Sequence, residues 1–139
     1  MLLNVFALFA VAIGNSFMGI EFGPEKEGFP VRSIENRMSG SVRFVNHPEK
    51  GFDLWHLEFL GPRDANGKRV LASSRSRLKA EKTCERTADG VVLKWKGMDL
   101  NGERNVLDVT VTVRMDGKDG ASDWSISVEI GRASGRERV

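Results

Sequence analysis

The sequence predicts an all-β protein, an antiparallel β-sandwich built from about eight short strands. Three observations carry that expectation. Apolar side chains recur with a period of two along most of the chain, turns containing Gly, Asp and Asn follow one another closely, and no segment sustains a helical period with caps. Side chains alternate across a pleated strand, so a period of two with polar residues between marks a strand with one buried and one wet face. Short strands joined by such turns bury their apolar faces best as two packed sheets.

The strands follow in order. Met18, Ile20 and Phe22 mark the first, and Val42 and Phe44 a short one after Ser39-Gly40. Asp53, Trp55, Leu57 and Phe59 then share one face, Leu54, His56, Glu58 and Leu60 share the other, and Gly61-Pro62 is expected to end the strand. A polar strand is expected around residues 77–86. Residues 75–82 can also be written as a helix through Leu78 and Lys82, but their apolar content is too thin to dock one. After Asp89-Gly90, Val91, Leu93 and Trp95 alternate with Val92, Lys94 and Lys96. Asn101-Gly102 separates that strand from the clearest one, in which Leu107, Val109, Val111, Val113 and Met115 oppose Asp108, Thr110, Thr112 and Arg114. Residues 116–120 supply a hairpin turn, and the return strand places Trp124, Ile126 and Val128 inward and Ser125 and Ser127 outward. Joining the two apolar faces makes this pair an antiparallel hairpin.

The two ends read differently from the middle. Residues 1–14 have the pattern of a signal peptide: an apolar run closes on Ala12-Ile13-Gly14, with small residues where a signal peptidase reads, and is too short to anchor in a bilayer. No Lys or Arg precedes the run, and a buried strand or a misassigned start codon are the alternatives. A secreted or periplasmic protein is expected. At the other end, residues 129–139 resemble the translated read-through of a DNA sequencing adapter, departing from it at Gly135. The expected division is therefore a signal peptide over 1–14, an incomplete β-sandwich domain over 15–129 and a non-native tail over 130–139.

The tail bears on charge. The chain has 21 basic and 19 acidic residues, a formal +2. Residues 131–139 hold Arg132, Arg136, Arg138 and Glu137, and without them bases and acids are equal at 18 each. The basic pI then implies no nucleic-acid or membrane partner. The densest basic run, from Lys68 to Lys82, carries Lys68, Arg69, Arg75, Arg77, Lys79 and Lys82 against Glu81. It lacks the interleaved aromatics on which single-stranded bases stack, and reads as a solvated face.

Little else points to chemistry. Cys84 is the single cysteine, so no intrachain disulfide and no cysteine-based metal site can form, and a small apolar role in a strand is expected. His47 and His56 are the only histidines, one in a loop before Pro48 and one on a strand face, without the further ligands a metal site needs. Glu35 and Glu58 are an acid pair only if the fold brings them within reach of one sugar. No phosphate-cradling glycine loop or nucleophile elbow occurs. No catalytic residue, cofactor or metal is assigned.

Three segments together carry a resemblance. Phe17-Met-Gly-Ile-Glu-Phe22 is an edge strand ending in Glu-Phe, Gly28 to Arg37 closes on Ser-Ile-Glu-Asn-Arg before Ser39-Gly40, and Gly51 to Phe59 contains Leu-Trp-His-Leu-Glu-Phe. Their order resembles the N-terminal β-supersandwich of large secreted bacterial glycoside hydrolase-like proteins, whose sheets resemble galactose mutarotase. The resemblance spans Phe17 to Glu129. It implies a catalytic (β/α)8 barrel after the sandwich, so that the partner of this domain is the missing C-terminal catalytic domain of the same chain, together with carbohydrate. It carries no catalytic residue onto this sequence. Trp55, His56 and Glu58 stand as candidate ligand or domain contacts.

Three functions compete. An accessory domain of a secreted carbohydrate-processing protein should expose apolar surface where its partner is missing. A stand-alone carbohydrate-binding or adhesive module should expose aromatic rings, against the inward register of Trp55, Trp95 and Trp124. A small mutarotase-like enzyme should pair a His with a Glu in one cleft, and no such pair is evident.

Overall fold

A computed structural model describes residues 11–38, 40–46 and 51–131. It is an all-β antiparallel sandwich. Among the described residues ten strands run in chain order: β1 Val11–Gly14, β2 Met18–Phe22, β3 Val31–Asn36, β4 Val42–Asn46, β5 His56–Arg63, β6 Arg69–Ser73, β7 Glu81–Thr87, β8 Gly90–Leu100, β9 Glu103–Arg114 and β10 Asp123–Ile130, with one 3-10 turn at Glu25–Glu27. They form a sheet in the order β1-β2-β3-β4, a second in the order β10-β9-β8-β7, and a two-stranded sheet of β5 and β6. Expected strands appear at every place named above, and three more join them: β3, in the segment that closes on Ser-Ile-Glu-Asn, together with β1 and β6.

Two of the extra strands have simple causes. β6 lies inside the basic run: Val70 and Ala72 are buried between exposed Arg69 and Leu71, a short alternation that the neighbouring charges obscure. β1 lies inside the apolar N-terminal segment and pairs with β2 from Val11↔Phe22 to Gly14↔Gly19. Cleavage after Gly14 would therefore remove β1 and leave β2 as the sheet edge. The rest of the expected signal peptide, residues 1–10, lies outside the described residues, as do His47 and residues 132–139 of the tail.

Two strand boundaries also move. The polar strand begins only at Glu81, beyond a turn at residues 73–76 in which the Ser76 N–H donates to the Ser73 carbonyl at 3.0 Å. Gly61-Pro62 does not end β5, which runs to Arg63 through a register shift between Phe59 and Arg63. β5 pairs on one side only, so the N–H that Pro62 lacks need not be missed there.

The long hairpins follow their sequence signals. β8 and β9 close through Asn101-Gly102, both at positive φ (51° and 81°), which matches the twist of the strands they join. Between β9 and β10, Asp116 and Asp119 cap their own loop by accepting the N–H groups of Lys118 and Ala121 at 2.8 and 2.9 Å. A register shift in β8 at Gly97 is fixed by the Asp108 carboxylate, which accepts the Gly97 N–H at 2.7 Å.

The core fills the space between the two larger sheets. Met18, Ile20 and Phe22 of β2 face Val91, Leu93, Trp95 and Met98 of β8 and Leu107, Val109, Val111 and Val113 of β9 in one buried cluster, with Trp55 and Ala72 from the side. Trp95 is its centre. Its ring meets Phe29 and Trp55 edge-on, at centroid distances of 5.7 and 5.4 Å, and its indole N–H donates to the Ser74 carbonyl at 3.2 Å. The same segment approaches Gly28, where φ is 79° and an added Cβ would stand 1.7 Å from the Ser74 oxygen. Only glycine fits there.

Candidate functional site: an open side of the sandwich

The two edges of the β7–β10 sheet are built differently. In the pairing of β7 with β8, Lys82, Cys84 and Arg86 stand opposite Trp95, Leu93 and Val91, so the inner face of this edge strand carries two cations. Inward charge keeps another strand from adding there. Partial burial pushes the Cys84 thiol up from its ordinary range; Arg86 opposes the shift and Glu25 adds to it. The expected small apolar role for Cys84 is met only halfway, since β7 leaves it exposed.

β10 has no such protection. It pairs with β9 without a bulge, from Asp123↔Arg114 to Ile130↔Leu107. Trp124, Ile126 and Val128 stand directly opposite Val113, Val111 and Val109, so the inward register read from the sequence is the observed one. Their expected burial is not. Trp124, Ile126 and Val128 remain 42, 50 and 41% exposed, while the residues opposite them are buried. No described strand lies beyond β10; Phe22 meets the Trp124 ring at 6.0 Å near its start, and Ile130 packs against the core at its end. The Trp124 indole N–H donates to the Ser122 hydroxyl at 2.8 Å.

The opposite sheet is open on the same side. β4 is its edge, and Val42, Phe44 and the neighbouring Met38 are exposed, Phe44 by 70%. Phe44 and Met38 line a mainly apolar groove of about 230 Å³ with Phe17, Met18, Ile34 and Gly120, the last in the loop that leads into β10. The sandwich thus has an apolar margin bounded by β10 on one sheet and β4 on the other. Six of the large apolar residues exposed among the described residues line it: Met38, Val42, Phe44, Trp124, Ile126 and Val128. Apolar exposure gathered on two neighbouring edges, unlike single exposed residues, makes this margin a candidate interaction surface.

The site residues expected from sequence do not gather. Trp55 is 5% exposed and packs on Trp95, so it offers no surface to a ligand. His56 and Glu58 point from the other face of the strand and are exposed, with Glu58 held by Arg69 at 3.0 Å. Glu35 sits on β3 with Arg37 at 3.7 Å, so the two candidate acids each face a separate arginine in separate sheets. The basic run is divided between β6, a turn and β7, and Arg75 pairs with Asp53 at 3.3 Å. Among the described residues no three His, Cys, Asp or Glu side chains are placed to hold a metal ion. No helix among them is long and apolar enough to cross a membrane. A second, more polar hollow of about 290 Å³ lies at the far end of β8, between Asn15, Arg86, Asp89 and Asp116. Asp89 is already engaged there, accepting from the Arg114 guanidinium at 3.1 Å.

The chain matches no protein-family model, no curated protein and no solved structure. Exposed apolar surface beside a missing partner, with residues 124–128 as an unpaired edge strand, is expected from the sequence; the β4 side of the margin is not. The signal for the β10 side is the contrast between the inner positions of the two edge strands, Lys-Cys-Arg in β7 against Trp-Ile-Val in β10.

Proposed function

We propose that this chain is a docking domain without catalytic machinery of its own, the N-terminal sandwich of a secreted carbohydrate-processing protein whose catalytic part covers the open margin. The observation that carries the reading is the row Trp124, Ile126 and Val128, which continues the buried rows of β8 and β9 and yet is left about half exposed, with no described strand beyond it. A sheet normally ends its apolar face where its partner ends. The family resemblance supplies the partner: a barrel following the sandwich. Recloning the gene from intact DNA tests this. The reading frame should continue past the codon for Glu129 into a barrel with acidic residues at its strand ends; a stop codon just after Glu129 overturns the reading.

One observation favours a second reading, a stand-alone carbohydrate-binding or adhesive module: Trp124 is the one tryptophan that reaches the surface. Sugars stack their C–H faces on such rings. Iodide should quench the Trp124 emission and leave Trp55 and Trp95 dark to it. If neutral mono- or oligosaccharides protect Trp124 from iodide, the second reading replaces the first; unchanged quenching in their presence favours protein docking.

A further inference from the structure

We infer that the margin is covered by strand addition, and that the added strand is apolar on alternate positions and basic where it passes the end of β10. The inference rests on the docking reading above and names the partner's chemistry. β10 offers an unbulged edge with no Lys and no Pro, the two residues most used to block pairing, whereas β7 at the other edge is blocked by Lys82 and Arg86. Its inner positions are apolar, so an added strand must present apolar side chains at every second residue to continue the core.

The outer face sets the charge. Along β10 it reads Asp123, Ser125, Ser127 and Glu129, with no cation. Asp123 stands opposite Arg114, but Glu129 stands opposite Asp108. Like charges directly opposed across two strands are destabilising. The Asp108 carboxylate cannot turn away without releasing the Gly97 N–H that it holds at 2.7 Å in the β8 bulge. Lys96, in that same bulge, does not close an ion pair with it, and among the described residues no cation reaches either carboxylate. A basic side chain on the next strand would sit beside Glu129 and relieve the repulsion, which fixes both the register and the sign of the partner.

Three synthetic peptides test this against the 139-residue chain. One alternates Val and Thr with a Lys at each end, so that either strand direction places a cation near Glu129; the second has Glu at the ends; the third has the composition of the first in non-alternating order. Amide hydrogen exchange read by NMR should slow by at least about 10-fold at the alternate amides of 123–130 that point away from β9 with the Lys-ended peptide, as expected when open-edge amides enter a ladder. The Lys-ended peptide should bind about 10-fold more tightly than the Glu-ended one, a ratio that falls toward one in about 0.5 M NaCl as screening shortens the reach of the charges. Glu129→Lys should reverse the preference. Peptide binding that perturbs Trp124 without protecting β10 amides would overturn strand addition while leaving margin docking intact. Equal affinity for the two charged peptides would overturn the basic register. Binding of the scrambled peptide as tight as that of its alternating isomer would overturn the alternation, and a dimer in sedimentation whose β10 amides are already protected would make a second copy the occupant and overturn the proposal.

Discussion

Trp95→Ala should destabilise the domain by about 3–5 kcal/mol, the range for removing a buried aromatic ring from a packed core, and this is the largest single-residue effect expected here. The side chain is fully buried, meets Phe29 and Trp55 edge-on and donates its indole N–H to the Ser74 carbonyl. Its loss therefore does three things at once. It leaves a cavity between the sheets, removes two aromatic contacts, and strands a buried carbonyl in a segment whose Ser74 hydroxyl also anchors Leu54 N–H at 2.8 Å. That segment is where β6 leads toward β7, so the small β5–β6 sheet should loosen together with the core. Native domains are typically stable by only about 5–15 kcal/mol, and this one has an uncovered side. The expected result is a molten chain at 37 °C, with far-UV signal largely retained and the near-UV tryptophan signal lost. Trp95→Phe, which keeps most of the ring area and loses the hydrogen bond, should cost less, about 1–3 kcal/mol. Chemical denaturation of the two variants checks the ordering, and equal, small losses would show that Trp95 does not anchor the third sheet.

Period-two alternation carried most of this architecture because it reports a local fact, which side of the strand a residue faces. The β9–β10 pair shows both its reach and its limit. The register Trp124↔Val113 and Ile126↔Val111 follows from matching apolar faces, and it is the register observed. Whether a layer lies over that face depends on the other sheet, and alternation within β10 holds no information about it. The same limit explains Trp55: its face could be read, but its place against Trp95 depends on Ser74 and Gly28, residues without a pattern of their own. β6 was lost for the opposite reason. Two buried residues, Val70 and Ala72, are too short an alternation to stand out among Lys68, Arg69 and Arg75. Gly61-Pro62 misled because the rule that proline stops a strand presumes pairing on both sides, and β5 pairs with β6 alone.

The variant Trp124→Ser with Ile126→Lys should separate folding from docking. Both side chains are about half exposed in the free domain, so the folded state loses only about half of what a fully buried pair would cost. Each sits on the inner face of the undefended edge, and Ile126→Lys places there the kind of inward charge that Lys82 and Arg86 supply on β7. Stability should fall by about 1.5–3 kcal/mol, since each of the two half-exposed side chains gives back about half of the 1.5–3 kcal/mol of full burial. Association should fall further. If the row is the anchor of the interface, its loss should cost at least about 2–4 kcal/mol of binding, a factor of roughly 30 to 1,000 in affinity for the covering partner or its peptide surrogate. The free domain should also aggregate less and bind less of an apolar dye, because the template for edge-to-edge pairing is gone. The contrast with Trp95→Ala makes the comparison informative: one variant should lose the fold, while the other should keep the fold and lose the partner. A double variant that unfolds would place Trp124 and Ile126 in the core, and one that folds and still associates normally would move the docking surface away from β10.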